Sequence, residues 1–139
     1  MKLNKAERWL VNNPARALAQ RFYEMPLLRR LGGTVEGGRV LEVGCGRGVG
    51  LPLILKTFHA AMAVGIDLDP EQIARARRRI AVHYGGRIVL DVGSVTRLPF
   101  ADASFDAVIS RHGLMFAESR SALLRRLLTC CKSGGAMRR

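Results

Sequence analysis

Apolar positions along this chain alternate between short continuous runs and helical stripes. Val40, Leu41 and Val43 form a compact run of the kind a buried strand in a parallel sheet shows. Gly44, Gly46 and Gly48 follow at once. An apolar helix comes next over Leu51–Phe58, with Pro52 tolerable in its first turn. Ala61–Ile66 reads as a second strand and Arg87–Val92 as a third. Asp106-Ala-Val-Ile-Ser110 reads as a fourth, entered through a turn at Asp102-Ala-Ser104. Between the second and third strands, a helix from Glu71 to about His83 turns Ile73, Ala74, Ala76, Ile80 and Ala81 toward a sheet. Arg75, Arg77, Arg78 and Arg79 turn mostly outward, and Gly85-Gly86 ends the helix. Ser119–Cys131 reads as a last helix, with Leu123, Leu124, Leu127 and Leu128 inward. Strands alternating with helices predict an α/β fold with a parallel sheet.

Residues 1–38 have a different rhythm and read as a helical prelude. Asn13-Pro14 supplies a cap and a first-turn proline, and Ala15, Leu18, Ala19 and Phe22 follow at helical spacing. Pro26 is expected to interrupt this helix, Leu27–Leu31 to form another short helical turn, and Gly32-Gly33 to stop it. Trp9 and Tyr23 fit packing against the sheet better than lining a site.

The glycine turn carries the candidate chemistry. A strand, a tight glycine turn and a helix N-terminus form a nucleotide-sized cradle with exposed N–H groups. The dinucleotide pattern G-x-G-x-x-G is not met, because Val49 and Leu51 stand where the third glycine belongs. That spacing argues against a nicotinamide dinucleotide. Instead, Glu42 stands two residues before Gly44-Cys45-Gly46-Arg47-Gly48. A carboxylate there suits the amino end of a zwitterion and would repel a pyrophosphate. Asp67 stands 19 residues after Gly48, at the tip of the second strand, where a carboxylate can accept ribose hydroxyls. Asp69, followed by Pro70, suits the cap of the next helix.

This ordered set resembles the class I S-adenosylmethionine-dependent methyltransferases from about Arg39 to Gly135. Glu42 to Gly48 resembles their motif I, and Gly65-Ile-Asp67-Leu-Asp69-Pro70 their second-strand motif. Gly93 to Phe100 resembles the segment that ends in Leu-Pro-Phe, and Asp102 to Ser110 resembles motif IV. The resemblance implies a Rossmann-like three-layer αβα fold with a parallel sheet, preceded by N-terminal helices. Residues 1–38 would be the helical segment and residues 39–139 a partial S-adenosylmethionine-binding domain. It implies cofactor contacts from Glu42, Gly44, Cys45, Gly46, Gly48, Asp67, Leu68, Ser94, Val95 and Arg111. Ser94 replaces the family's aspartate, so the bond to the adenine amino group would lack charge assistance. Asp106 would be structural. His112 just past the fourth strand is the only histidine placed for proton transfer. No catalytic residue and no metal site is assigned. The family's sheet has the order 3-2-1-4-5-7-6. Here only 3-2-1-4 is expected, with strand four an apolar edge open to self-association. Lys132-Ser-Gly134-Gly135 resembles the segment that precedes the family's fifth strand.

Composition then narrows the class. Apolar content of 48% over 139 residues predicts one globular domain. Three cysteines without disulfide or metal-ligand spacing fit a reducing compartment. Neither a signal peptide nor an apolar run long enough to span a membrane is visible, so a cytoplasmic chain is expected. The net charge of +12 lies at both ends and in one helix with little aromatic interleaving. That favours a solvated arginine-rich surface over nucleic-acid binding. The leading expectation is methyl transfer from S-adenosyl-L-methionine to a small-molecule or lipid acceptor, by a truncated domain expected to lack the half that completes the substrate site. The alternatives are a non-catalytic module binding S-adenosylmethionine or S-adenosylhomocysteine and, behind it, a basic nucleic-acid-binding protein.

Overall fold

The computed structural model describes residues 14–80, 83–110 and 120–138. The apolar run predicted to be a buried strand is the centre of the sheet. Strand β1 (Arg39–Val43) pairs in parallel with β2 (Met62–Asp67) on one side and β4 (Phe105–Ser110) on the other. Val43 lies opposite Ile66 and Ser110. Beyond β2 lies β3 (Ile88–Val92), and beyond β4 lies β5 (Cys131–Arg138), giving the order β3-β2-β1-β4-β5.

Helices cover both faces of this sheet, as the αβα expectation requires. On one face, Val40, Ala63, Ala107 and Ile109 pack with Leu51, Ile54 and Phe58 of α3 (Gly50–Phe58) and Ile73, Ala76 and Ile80 of α4 (Pro70–Ile80). Met25 and Leu28 of α2 (Met25–Gly32) close that core. On the other face, Leu41, Val43, Val64, Ile66, Phe105 and Val108 pack with Leu98 and with Leu127 and Cys130 of α5 (Arg120–Cys130). Neighbouring residues such as Val40 and Leu41 enter opposite cores because side chains alternate along a strand.

Five expectations are corrected here. The sheet has five strands, so β4 is not an edge, and self-association through it has no basis. The segment after α5 returns alongside β4 and takes up its backbone hydrogen bonds. The pairing shifts register between Phe105 and Ala107, and the Lys132–Gly135 stretch lies between the paired Cys131 and Ala136. Leu128, expected inward, is exposed, while Leu127 is buried. The stripe of Ala15, Leu18, Ala19 and Phe22 is exposed throughout, and Tyr23 does not pack on the sheet. Pro26 does not break the helical path. A π-helical turn over Gln20–Glu24 joins α1 (Pro14–Ala19) to α2. Pro26 has no N–H and crowds the carbonyl four residues back, at Phe22, and a widened turn relieves that crowding. The stop at Gly33 is as expected, with φ +70° and its N–H donating to Arg29 O at 2.7 Å. Asn13 and Trp9 lie outside the described residues.

The starts of three strands are clamped by Asp106. Its Oδ2 accepts the Arg39 backbone N–H at 2.8 Å, and its Oδ1 accepts Lys132 Nζ at 2.8 Å, so β1, β4 and β5 meet on one carboxylate. The Arg39 guanidinium lies 4.8 Å above the Phe105 ring, which meets Phe100 edge-on. Arg126 ties α5 down, donating to Asp102 Oδ1 at 2.8 Å and to the Leu98 and Phe100 carbonyls. Asp106 is thus structural, as expected.

The Arg39 N–H and then Lys132 hold the Asp106 carboxyl below its ordinary value of 3.8. A lowered folded-state value stabilises the fold above the unfolded-state value, and this contribution is lost as the pH falls through the folded value. Asp106→Asn should therefore cost about 1 kcal/mol in a denaturant titration at neutral pH. The gap from the parent chain should narrow once the pH drops below 3.8. A second outcome concerns Gly65, where a Cβ would stand 2.8 Å from Leu51 Cδ1 and 2.9 Å from Cys45 Sγ. Gly65→Ala should lower the thermal midpoint by the equivalent of about 1–3 kcal/mol, the ordinary range for overpacking a core.

Candidate functional site at the strand tips

Beyond Val43 the chain turns back on itself with its hydrogen bonds aimed at β2. Gly44 and Cys45 both donate their N–H to Ile66 O, at 2.9 and 3.0 Å. Gly46, at φ +54°, donates to Asp67 Oδ2 at 2.7 Å. Gly48, at φ +71°, donates to Cys45 O at 2.9 Å. A side-chain-bearing residue at Gly46 would carry about 1–2 kcal/mol of left-handed strain. At Gly48 space is also lacking, since a Cβ would stand 2.7 Å from Ile80 Cδ1 and 3.1 Å from Ala76 Cβ. The turn is pressed onto α4 there and then runs into α3. The expectation of exposed N–H donors is therefore corrected. The N–H groups of Gly44, Cys45, Gly46 and Gly48 are taken up within the protein, because the turn needs them to hold its shape.

Asp67 is the knot of the site. Besides Gly46, its carboxylate accepts the Asp69 N–H at 3.0 Å, and its main-chain carbonyl accepts the Gly93 N–H at 3.0 Å. One residue thus ties the glycine turn, the β2–α4 turn and the end of β3. Asp69 caps α4, accepting the Glu71 N–H at 2.9 Å on its side chain and the Gln72 and Ile73 N–H groups on its carbonyl. The division of roles expected for the two aspartates holds for the cap.

The other expected contacts have distinct surroundings. Glu42 is buried in the central strand, 1% exposed, two residues ahead of the turn. The Cys45 side chain lies beneath the turn, in the room left by Gly65. Burial, and then the negative charge of Asp67, push its thiol far above the ordinary value, so it is a packing group. Any contribution of Cys45 to a ligand comes through its backbone. Leu68 is 57% exposed beside Asp67. Ser94 starts a tight turn, its hydroxyl 2.7 Å from Thr96 Oγ1 and its carbonyl accepting the Arg97 N–H. Val95 packs on the second core. Arg111 and His112 lie outside the described residues.

Sequence reasoning missed two features. Gly65 is needed so that Cys45 and Leu51 can pass beneath the turn, and its only signal is a lone glycine in an otherwise apolar strand. Arg47, within the turn, lines a cleft of about 410 Å³ with Arg75, Arg78 and Arg79. The i, i+3, i+4 spacing of the helix arginines foretells their shared face, while only the packing of Gly48 on α4 brings Arg47 to it. Among the described residues no group of histidine, cysteine, aspartate and glutamate has the arrangement of a metal site. No helix among them is long and apolar enough to cross a membrane.

Comparison with known proteins agrees with this geometry. The family described as "Methyltransferase domain" matches residues 40–135. The ubiquinone/menaquinone biosynthesis C-methyltransferase UbiE of Geobacter sulfurreducens is 35% identical over 102 residues, covering 72% of this chain and 40% of that protein. The fatty-acid O-methyltransferase of Mycolicibacterium smegmatis is 43% identical over 76 residues, covering 55% of this chain and 27% of that protein. Among solved structures, an S-adenosylmethionine-dependent methyltransferase from Mesorhizobium loti superposes with a TM-score of 0.70 at 28% identity, covering 81% of this chain and 49% of that one. A methyltransferase of Haloferax volcanii in complex with its Trm112 activator shares the fold, with a TM-score of 0.78 at 22% identity, over 99% of this chain and 60% of that one. The chain thus spans between 27% and 60% of the length of these proteins. With its five-stranded parallel sheet, its glycine turn tied to Asp67 and a family match from the first core strand to the last, the chain belongs to the methyltransferase domain family.

Proposed function

We propose that this chain binds S-adenosyl-L-methionine at the strand tips and takes part in methyl transfer to a small-molecule or lipid acceptor. The observation that carries the reading is the Asp67 knot, which sets one carboxylate against the glycine turn at the end of β2. A Cβ at Gly46 would meet none of the described residues within 4 Å, so the turn leaves room there for a ligand. Each Asp67 oxygen accepts one backbone bond and keeps lone-pair capacity, so ribose hydroxyls can be held without releasing the turn. The acceptor class rests on the relatives, whose names give a quinone pathway and a fatty acid.

In this reading, residues 39–139 form the cofactor domain and residues 1–38 the helical segment ahead of it, in a cytoplasmic chain. Glu42 and the backbone of Gly44 to Gly48 would meet the methionine end, Asp67 the ribose, and Leu68, Ser94 and Val95 the adenine, with Arg111 at the fourth strand tip. The cofactor supplies a methyl group on a sulfonium, already a good leaving group. The chain's own task is in-line positioning and exclusion of water. A carboxylate acceptor takes the methyl group without losing a proton, whereas a ring carbon gives up its proton to a base after transfer. The Asp67 bonds keep the three tips from drifting apart.

Calorimetric titration of S-adenosylhomocysteine into the purified chain tests the reading. Saturable binding is expected. Asp67→Asn should weaken it roughly tenfold to a hundredfold through loss of charge-assisted bonds. Gly46→Val should abolish it through backbone strain and a side chain in the cradle. Absence of binding by a chain whose circular dichroism shows a folded α/β protein would overturn the proposal. Methyl transfer from labelled cofactor to a fatty acid or quinone precursor, lost in Asp67→Asn, would separate an enzyme from a module that only holds the cofactor.

A further inference from the structure

The N-terminal helical segment leaves large apolar side chains in solvent while the core is within reach. Leu18 is 58% exposed, Tyr23 71% and Leu27 43%, while Met25 and Leu28 of the segment enter the core. Beside them runs a groove of about 560 Å³ between this segment and α3. Phe22, Pro26 and Leu53 give it an apolar wall, and Arg29, Arg30 and Lys56 give it cations. Among the described residues no carboxylate lines it. Exposed apolar and aromatic groups beside cations along one helical segment form the pattern of a segment lying in a lipid–water interface. Arg and Lys can lay their stems along apolar surface while their charged ends stay in water, and a tyrosine ring suits the headgroup level.

We propose that this face docks the protein onto the surface of a bilayer containing anionic phospholipid. The charge argument selects that partner. Three cations with no acid among the described groove residues, on a chain of net charge +12, complement a negative leaflet. The exposed apolar side chains add the insertion that charge alone does not provide. The mode is peripheral, since no helix among the described residues can span. The proposal does not depend on cofactor binding, and its test omits the cofactor, so the two readings fail separately.

The experiment is co-sedimentation of the full chain with vesicles of phosphatidylcholine alone or mixed with phosphatidylglycerol. Binding is expected only to the mixed vesicles and should fall with added salt. Arg29→Gln with Arg30→Gln should weaken it roughly fivefold for each charge removed. Tyr23→Ser with Leu27→Ser should weaken it at least roughly tenfold at unchanged charge. Arg78→Gln with Arg79→Gln, which removes the same charge from the exposed face of α4, should leave most of the binding intact. Circular dichroism on each variant keeps unfolding out of the comparison, and the salt dependence of the unaltered chain needs no variant. Four outcomes would overturn the proposal. These are no binding to mixed vesicles, equal binding to pure phosphatidylcholine, an equal loss in the α4 variant, and no loss in Tyr23→Ser with Leu27→Ser.

Discussion

The hydrogen bond from the Gly46 N–H to the Asp67 carboxylate is the interaction on which the upper end of the molecule depends. A turn with three glycines at positive φ has little conformational preference of its own, and glycine gives up more backbone freedom on folding than any other residue. The turn takes its shape because its donors are drawn to fixed acceptors on β2, first the Ile66 carbonyl and then Asp67. Because Asp67 also holds Asp69 and Gly93, the shapes of three loops are set by one side chain and its own backbone.

The sheet is held at its other end by a similar device. Asp106 binds the first residue of β1 and a lysine of β5, while Phe105 beside it fills the core and takes a guanidinium on its ring. Between these carboxylates β1, β2 and β4 are almost wholly buried, while β3 at the sheet edge is partly exposed. The strands supply the burial free energy, and the two ends determine alignment. A parallel sheet needs such fixing because its strands are joined only through long crossovers, so no tight hairpin sets the register.

The electrostatic character of the tips differs from that of the surface. The chain carries a large excess of cations, yet the carboxylates nearest the glycine turn are Asp67 and, a little below, Glu42, while the turn's own cation, Arg47, lines the cleft along α4. The turn's own donors are already engaged. A cradle of this kind favours a ligand that brings hydroxyls and a positive end over one that brings phosphates. The cations collect elsewhere, in the arginine cleft along α4 and in the groove beside α2.

Most of the fold was legible in the sequence. The order of strands and helices, the glycine turn, the Asp67 and Asp69 pair and the stop at Gly33 all follow from local chemistry: apolar period, residues that tolerate positive φ, and side chains that cap. The unread parts depend on what lies across space. The fifth strand was missed because Cys131 to Arg138 carries glycines and cations, and only the open edge of β4 makes it a strand. The exposure of Leu18, Phe22 and Leu128 was missed because helical spacing identifies an apolar stripe without saying what lies opposite it. The glycine N–H groups looked available because sequence spacing cannot show that a carboxylate 21 residues away has taken one of them. The sequence by itself therefore determined the elements and the chemistry at their ends. Tertiary structure decided which donors and apolar faces remained for a ligand, because hydrogen bonds and burial are settled by proximity in space.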